Sequence, residues 1–395
     1  MDFDHLTPRS GSGSYKWDTV PTEGIIPLWV ADMDFTVARP IVDALRRRVD
    51  HGIFGYTYVA EPYYDAVMNW YADRYGVGIT ADDILYTSGV VPAISASIKA
   101  LTHPGDGVVI MTPVYNCFFS SIRNNGCREV DVPLIREDFT DRTFSYKIDF
   151  PNLQIALNDP RNRVLLLCNP HNPAGRAWTP EELGEIVALC RRTGTTLLSD
   201  EIHADLTMPG YRFASVLSVA EEGDPVVTFS SPSKAFNTAG LQIANIITRS
   251  LSLRYAIDRA LNDNEVCDVN PFGVEALIAA YNEGRPWLAE AVEYIHANAV
   301  RTVSRLLEAL PFVTIARLEA TYLLWVDISR LHLNSTELEE LLCDRYKVWV
   351  NAGDMYGADG YIRINLATSA DLLSEGIERL IKGLSDIYNQ NTLLD

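Results

Sequence analysis

The sequence predicts an α/β protein in which a large domain with a mainly parallel central sheet is joined to a smaller α/β domain. Apolar segments of strand length alternate with segments of helical periodicity through the middle of the chain. The 395 residues exceed what one hydrophobic core usually serves. After Arg285-Pro286 a long helical pattern leads into a shorter, mixed tail. We expect an N-terminal arm that is part of the small domain at residues 1–40, the large domain at 41–285 and the small C-terminal domain at 286–395.

Two helices are expected early in the chain. The first begins at Arg39-Pro40 and carries Ile41, Leu45 and Val49 on one face. The second is opened by Gly89, and its apolar residues follow at spacings of four, four and three: Val90, Ile94, Ile98 and Leu101. The breakers at 103–105 end it, and a strand should follow.

Strands and helices then alternate. Strands are expected at 108–111, 164–168, 196–199, 226–229 and 243–248. A helix is expected at 180–192, and in the tail a helix at 288–310 precedes a strand at 321–328. Because parallel strands need helical crossovers, this alternation indicates a mainly parallel sheet.

Polar segments follow three of these strands, at 169–175, 200–203 and 230–234. In open parallel sheets ligands bind beyond the carboxyl ends of the strands, where loops and helix N-termini converge. We therefore expect the chemistry of the protein at this edge of the sheet.

The composition excludes several classes of function. Lys and Arg total 33 against 52 Asp and Glu, and the net charge of -19 opposes binding to nucleic acid or to anionic membranes. The six cysteines are scattered without metal-ligand spacing, so they indicate reduced, mostly buried thiols and no metal site. The N-terminus has no apolar segment typical of a secretion signal, and the apolar runs are too short to span a membrane. We expect a cytoplasmic protein.

Lys234 is the strongest candidate for a catalytic residue. It follows a strand, among the hydroxyl groups of the segment Ser230-Ser231-Pro232-Ser233. A lysine that is desolvated or near other cations loses its proton more readily and becomes a usable amine nucleophile. By itself, however, a lysine is also typical of a solvated surface.

Asp200 ends an apolar strand, where a buried carboxylate is costly unless a cation pairs with it. The protonated ring nitrogen of a pyridine cofactor would be such a cation, and the pairing would preserve the ring as an electron sink. Asp200 could equally cap a helix. Asn172 lies in a turn rich in Pro, Asn and Gly, where its amide could donate to a cofactor oxygen, and Gly89 opens a helix whose N-terminus could bind phosphate. Each of these two segments is also typical of an ordinary turn or cap.

Taken together and in this order, four motifs resemble the class I/II aminotransferase superfamily of fold-type I pyridoxal-phosphate enzymes. They are Ser88-Gly89-Val90, Asn-Pro-His-Asn-Pro-Ala-Gly at 169–175, Asp200-Glu201-Ile202-His203 and Ser-Pro-Ser-Lys234. Within that superfamily, the runs 14–18 and 29–35 and the Asp-Glu-Ile-His tetrad are similar to the MalY/PatB branch of cystathionine β-lyases. The resemblance spans nearly the whole chain and implies a large domain that binds pyridoxal 5'-phosphate.

The resemblance implies specific roles for the matching residues. Lys234 holds the cofactor as a Schiff base, Asp200 pairs with the pyridine nitrogen and Asn172 donates to the phenolic oxygen. Tyr115 stacks on the pyridine ring, although by itself it is also typical of core packing. The remaining cofactor-binding positions, which cradle the phosphate or lie near the ring, are Gly89, Val90, Val91, Ser231, Ser233 and His203.

Substrate and subunit contacts are also implied by the resemblance. Arg363 grips the α-carboxylate of the substrate, a bidentate task suited to a guanidinium; a lone arginine in an apolar strand would otherwise suggest a structural salt bridge. Ala31 and Asn172 complete the substrate contacts. Tyr56 reaches the active site of the neighbouring subunit, which implies a homodimer with shared sites, and Tyr56, Tyr115 and Lys234 are the candidate catalytic residues.

Two departures from the family pattern bear on function. His203 stands where many aminotransferases have tyrosine, and it could be a satisfied core histidine. The run 365–369 lacks the Cys-Pro-Arg often seen in the lyase branch. The leading hypothesis is β-elimination that converts cystathionine or another cysteine S-conjugate to a thiol, pyruvate and ammonia. Transamination of an amino acid is the alternative that the motifs leave open, and a regulatory role through binding of a transcription factor is a third hypothesis.

Overall fold

The computed structural model describes residues 2–263, 265 and 268–392. The strands are β1 Ile26–Pro27, β2 Ile84–Thr87, β3 Gly107–Ile110, β4 Arg128–Asp131, β5 Ile135–Asp138, β6 Thr143–Lys147, β7 Asn162–Cys168, β8 Thr196–Asp200, β9 Val226–Ser230, β10 Ala244–Ile247, β11 Thr314–Ala316, β12 Leu323–Asp327, β13 Val348–Trp349, β14 Asn351–Ala352 and β15 Tyr361–Asn365. The helices are α1 Tyr15–Asp18, α2 Arg39–His51, α3 Glu61–Tyr75, α4 Val90–Leu101, α5 Asn116–Asn124, α6 Phe150–Leu157, α7 Pro180–Thr193, α8 Pro232–Ala235, α9 Leu251–Asp263, α10 Pro271–Glu283, α11 Arg285–Ala309, α12 Ser335–Tyr346 and α13 Ala370–Thr392.

The larger sheet is mainly parallel, as predicted. Its seven strands run in the order β2-β10-β9-β8-β7-β3-β4. Strand β10 is antiparallel to both of its neighbours, and the other pairs are parallel. The carboxyl ends of β7, β8 and β9 therefore lie side by side at one edge of the sheet.

Strand β7 shows why this sheet has a core on each face. Leu165 and Leu167 belong to one apolar cluster, whereas Val164, Leu166 and Cys168 belong to the other. Side chains alternate between the two faces of a strand, so a strand that is covered on both sides needs a continuous apolar run. The run at 164–168 is the signal that predicted this strand.

The structure confirms the predicted helices, with small shifts at their ends. Helix α2 begins at Arg39 and contains a proline in its first turn, and α4 begins directly after Gly89. Helix α7 has a capping box in which the Thr179 hydroxyl accepts from the Glu182 amide and the Glu182 carboxylate accepts from the Thr179 amide. Helix α11 covers 285–309, three residues more at its start than expected.

Helix α3 was not predicted, although its signal is present in the sequence. Its buried residues follow the helical spacings of three, one, three and one: Tyr63, Ala66, Val67, Trp70 and Tyr71. Helices α9 and α10 were also not predicted. Helix α10 packs against α2 and α3, and this contact between distant segments supplies the burial that stabilises all three.

The smaller sheet contains a hairpin that the expected domain boundaries had assigned to the large domain. The strand order is β14-β15-β12-β11-β6-β5, and β6 pairs in parallel with β11, with Ile315 opposite Thr143. No local pattern predicts this pairing, because the partner strand lies far along the chain and β5 is mostly solvent-exposed. Strand β1 of the arm pairs with β13. The domain boundaries at 40 and 285 stay a prediction.

The five cysteines within the described residues are free thiols, and all but Cys117 are buried, as predicted. Cys267 lies outside the described residues. Across the described ranges, no helix is long and apolar enough to cross a membrane.

Candidate active site

A cavity of about 510 Å³ lies at the carboxyl ends of β7, β8 and β9. Its walls come from both sheets, from the N-terminus of α4 and from the segment 29–31 of the arm. A larger and more open groove of about 980 Å³, lined by Arg74, Asp205, Arg285 and others, lies elsewhere on the surface. We place the candidate site in the smaller cavity because the predicted chemical groups converge there.

The structure brings together every predicted site residue except Tyr56. Those that line the cavity are Ala31, Gly89, Val90, Val91, Tyr115, Asn172, Asp200, His203, Ser231, Ser233, Lys234 and Arg363. Tyr56 is 98% exposed and does not contribute to the cavity of its own chain. The roles assigned to these residues stay predictions, but their convergence is a finding.

Lys234 projects into the cavity from the short helix α8, whose N-terminus is capped by the Ser231 hydroxyl. The lysine Nζ donates a 2.7 Å hydrogen bond to the carbonyl oxygen of Ala31. Desolvation, reinforced by the positive charge of Arg363, lowers the pKa of Lys234 to about 8. At neutral pH about a tenth of this lysine is therefore the nucleophilic amine, far more than for a lysine of ordinary pKa.

Asp200 is the last residue of β8, a strand that is buried throughout. Its carboxylate accepts a 3.1 Å hydrogen bond from the backbone amide of Ile202. Burial raises the pKa of Asp200 to about 7, although the amide of Ile202 and the charge of Lys234 act in the opposite direction. Within the described residues, no cation forms an ion pair with this carboxylate, so a positively charged group in the cavity would stabilise it.

Arg363 carries a buried positive charge, whereas Asp200 carries a buried carboxylate. It lies on β15, donates 3.1 Å to Oδ1 of Asn172 and 3.0 Å to the carbonyl oxygen of Trp29, and stacks 4.8 Å from the ring centroid of Tyr356. Its buried Nε has no partner in the part of the chain that the structure describes, and no carboxylate there pairs with it. The structural salt bridge considered from the sequence is absent there, and an anion in the cavity would complete its hydrogen bonding.

The hydrogen bond from Arg363 orients the side chain of Asn172. Because its amide oxygen accepts from Arg363, its amide nitrogen remains as a donor. The side chain is buried and lines the cavity. This orientation is compatible with the predicted donation to a cofactor oxygen.

The end of the cavity formed by α4 and α8 is suited to an anion. Gly89 is the N-cap of α4, and Val90 and Val91 form its first turn. The first amides of an α-helix lack partners within the helix, and the dipole of the twelve-residue helix is positive there. Ser231 and Ser233 add hydroxyl groups from the facing turn, with their oxygens 3.0 Å apart.

His203 and Tyr115 are neutral at physiological pH. Desolvation, followed by the charges of Lys234 and Arg363, lowers the pKa of His203 to about 3, and its Nδ1 finds no partner among the described groups. Burial raises the pKa of the Tyr115 phenol well above its ordinary value. Tyr115 both packs edge to face against Phe118 and lines the cavity, so the core-packing interpretation and the site interpretation both hold for it.

Other residues of the site were missed by the sequence interpretation. Trp29 and Tyr15 line the cavity and are in contact, with ring centroids 5.2 Å apart. They lie in the two N-terminal runs that resemble the lyase branch, which was the available signal. Asn365 donates 2.6 Å to the carbonyl of Val30 and 2.7 Å to that of Asp32, and thereby positions the Ala31 carbonyl that receives Lys234. No local pattern pointed to this contact.

The chain is similar to known proteins over nearly its whole length. The profile of the family described as aminotransferase class I and II matches residues 25–380. The chain is 38% identical to cystathionine β-lyase PatB of Bacillus subtilis, over 98% of this chain and 100% of that protein, and 30% identical to protein MalY of Escherichia coli, over 97% and 99%. The crystal structure of cystalysin from Treponema denticola, which contains a pyridoxal 5'-phosphate cofactor, has a TM-score of 0.93 at 33% identity and covers 98% of this chain and 99% of that one.

Proposed function

Because the chain belongs to the aminotransferase class I and II family, a family of pyridoxal-phosphate enzymes, we propose that it cleaves the carbon–sulfur bond of cystathionine or related cysteine S-conjugates. One observation carries the proposal: a lysine of lowered pKa lines one cavity together with a buried carboxylate and a buried arginine, neither of which has an ion-pair partner among the described residues. The names of PatB and of a C-S lyase from Staphylococcus hominis, which is 28% identical to this chain, favour elimination over transamination.

The residues of the cavity fit pyridoxal 5'-phosphate. Asp200 would hold the ring nitrogen in its protonated form, which supplies the cation that this buried carboxylate lacks. The first turn of α4 and the serines of the facing turn would hold the phosphate. Lys234 would bind the cofactor covalently, and the amide of Asn172 would donate to its phenolic oxygen. When bound, the cofactor supplies an electron sink that stabilises negative charge at the substrate Cα.

Lys234 has a second task, the removal of the proton from the substrate Cα. A general base works best when its pKa lies near the working pH, and a pKa of about 8 meets this condition. The 2.7 Å hydrogen bond to the Ala31 carbonyl defines a position for the lysine amine when it is not bound to the cofactor. The same side chain therefore serves as anchor and as base.

Arg363 orients the substrate by binding its α-carboxylate. Its Nε has no partner among the described residues, and its Nη atoms are held by Asn172 and by the Trp29 carbonyl. Since these contacts fix the plane of the guanidinium, a substrate carboxylate meets a preorganised donor.

The overall reaction consumes water and releases three products. The Cβ–S bond breaks, the electron pair leaves with the sulfur, and the sulfur takes up a proton to give the thiol. The remaining three-carbon fragment is hydrolysed to pyruvate and ammonium. No keto acid is required to accept the amino group, which distinguishes this reaction from transamination.

The decisive experiment is incubation of the purified holoenzyme with cystathionine in the absence of any keto acid. We expect stoichiometric pyruvate and homocysteine, and no pyruvate from the Lys234→Ala variant. Turnover that occurs only after a keto acid is added would contradict the proposal and support the aminotransferase alternative. The Lys382→Ala variant, which changes an exposed lysine that does not line the cavity, is the matched control.

We further propose that the enzyme is a homodimer with shared active sites. Support comes from the segment 53–58, in which Ile53, Phe54, Tyr56 and Tyr58 are all exposed. Large apolar side chains that are exposed together are typical of an interface. Tyr56 would complete the site of the neighbouring subunit, as the family resemblance implies. The cytoplasmic location stays a prediction from the sequence.

A further inference from the structure

Each charged side chain in the described lining of the cavity already has a proposed role. None of them remains to bind the far end of a zwitterionic substrate. In the described lining of the cavity, the acidic and basic side chains are Asp200, Lys234 and Arg363, together with His203, which stays neutral. The proposed function assigns the first two to the cofactor and the third to the α-carboxylate. Cystathionine carries a second amino group and a second carboxylate, and the described lining offers neither of them an ionic partner.

Aromatic residues lie beside Arg363 instead. The ring of Trp29 stacks on that of Trp349, with centroids 4.2 Å apart and planes at 10°, and contacts that of Tyr15. The carbonyl of the same Trp29 accepts from Arg363, so this aromatic wall adjoins the proposed carboxylate position. On the other side, Tyr356 packs against the guanidinium.

Part of this wall is exposed. Tyr15 is 67% and Met355 is 41% accessible, yet both line the cavity. A substrate substituent that covered them would remove apolar surface from water, which favours binding. A charged substituent in the same place would lose hydration without gaining an ionic partner in the described lining.

The segment that the proposed subunit contact would bring to the cavity adds no charge to it. The segment 52–58, which would approach the neighbouring cavity, reads Gly-Ile-Phe-Gly-Tyr-Thr-Tyr and contains no charged side chain. Its contribution to the neighbouring site would therefore be aromatic and apolar, like that of Tyr15 and Trp29.

We propose that the enzyme prefers cysteine S-conjugates with an uncharged aromatic or bulky apolar substituent on sulfur over the zwitterionic cystathionine, and that Tyr15 and Trp29 are the residues that confer this preference. The inference rests on the proposed carbon–sulfur lyase function and deepens it. The substituent packs on the aromatic wall while Arg363 holds the carboxylate at the other end.

The first test compares the kcat/KM of the holoenzyme for S-benzyl-L-cysteine and for L-cystathionine, measured by pyruvate release. We expect a ratio of at least about ten in favour of the benzyl conjugate. The Tyr15→Ala variant should lower this ratio at least about fivefold, and Tyr15→Phe should restore it because the ring and not the hydroxyl makes the contact. Tyr255→Ala, which removes a similarly exposed tyrosine outside the cavity, should leave the ratio unchanged.

The second test measures binding without turnover. Calorimetric titration of the holoenzyme with 2-amino-5-phenylpentanoic acid and with 2,7-diaminooctanedioic acid, in which a methylene replaces the sulfur of each substrate, should give at least about tenfold tighter binding of the phenyl compound. Equal or tighter binding of the diacid would overturn the inference.

The two tests separate the inference from the function on which it rests. If both conjugates release pyruvate but cystathionine is the better substrate, the inference fails and the lyase function stands. If neither releases pyruvate, the lyase function fails, and the calorimetric comparison still decides the selectivity of the cavity.

Discussion

Buried charged side chains in this cavity lower the stability of the fold but are suited to binding and catalysis. Asp200 and Arg363 are each at most 3% exposed, and the structure describes no ion-pair partner for either. Buried charges of this kind destabilise a protein unless a ligand compensates for them. Such residues were predictable when they lay in local motifs, as Lys234, Asp200 and Asn172 do. Trp29 and Tyr15 had a signal only in the two N-terminal runs that resemble the lyase branch, and Asn365 had none, because only folding brings it to the carbonyls of Val30 and Asp32.

The Arg363→Lys substitution should lower kcat/KM for the amino-acid substrate about a hundredfold, mainly through KM, since an ammonium lacks the planar pair of donors. The visible absorption of the bound cofactor should be retained, because Arg363 is proposed to contact only the substrate. Steady-state kinetics with parallel spectra measure both effects. An unchanged KM would show that another group binds the carboxylate.

The raised pKa of Asp200 predicts how the stability of the cofactor-free protein changes with pH. Its pKa in the folded protein, about 7, lies above the ordinary 3.8, so its ionisation destabilises the cofactor-free protein progressively between about pH 4 and pH 7, and fully above that range. The difference corresponds to at most about 4 kcal/mol. Asp200→Asn should therefore raise the melting temperature of the cofactor-free protein at about pH 8 and raise it much less at about pH 4.5.

In the cofactor-bound protein Asp200→Asn should lower the thermal stability instead of raising it. The asparagine cannot hold the ring nitrogen in its charged form, so affinity for pyridoxal 5'-phosphate should fall at least about tenfold. Thermal unfolding with and without cofactor measures both effects. A variant that is less stable than the wild type without cofactor at about pH 8 would contradict the assignment.

At the scale of elements, the arm is the part of the fold that local patterns described least. Lys16 and Asp34 form a buried ion pair with a 2.8 Å contact, and Arg9 binds both Asp34 and Asp32. Although burial alone would raise it, the pKa of Asp34 is held below its ordinary value by the Lys16 ammonium. This cluster fixes the segment 29–33, which receives Lys234 and Arg363. Helices α2 and α4 were predictable because their periodicity is local.

Lys16→Met should destabilise the protein by about 3 kcal/mol, because it leaves the buried Asp34 with less compensation. The matched control is Lys382→Met, which removes an exposed ion pair with Asp386 and should leave stability nearly unchanged, because solvent screens the pair. Urea unfolding measures both. Equal effects of the two substitutions would show that the buried pair does not anchor the arm.

At the scale of the whole molecule, the sequence predicted the α/β architecture and the mainly parallel order of the larger sheet, because these follow from alternation along the chain. It did not predict that the β5–β6 hairpin belongs to the smaller sheet, where β6 pairs with β11, a strand about 170 residues further along the chain. Pairing at such distances is decided by the whole fold. The proposed homodimer belongs to the same scale, since Tyr56 lies outside the cavity of its own chain.

Mixed dimers test the shared site. Lys234→Ala and Tyr56→Ala should each be inactive alone, but coexpression should restore up to about a quarter of the wild-type activity, because half of the dimers are mixed and one of their two sites is intact. Lys234→Ala with Arg363→Ala should restore none, since both residues line the cavity of one chain. Equal recovery in both mixtures, or none in the first, would contradict a shared site.

The central claim, that this cavity binds pyridoxal 5'-phosphate on Lys234, is tested most directly by reducing the holoenzyme with borohydride and mapping the modified peptide by mass spectrometry. The chain contains six lysines, Lys16, Lys99, Lys147, Lys234, Lys347 and Lys382. The account predicts the pyridoxyl adduct on Lys234 alone, with loss of the visible absorption band in Lys234→Ala. An adduct on another lysine, or a protein that binds no cofactor, would contradict it.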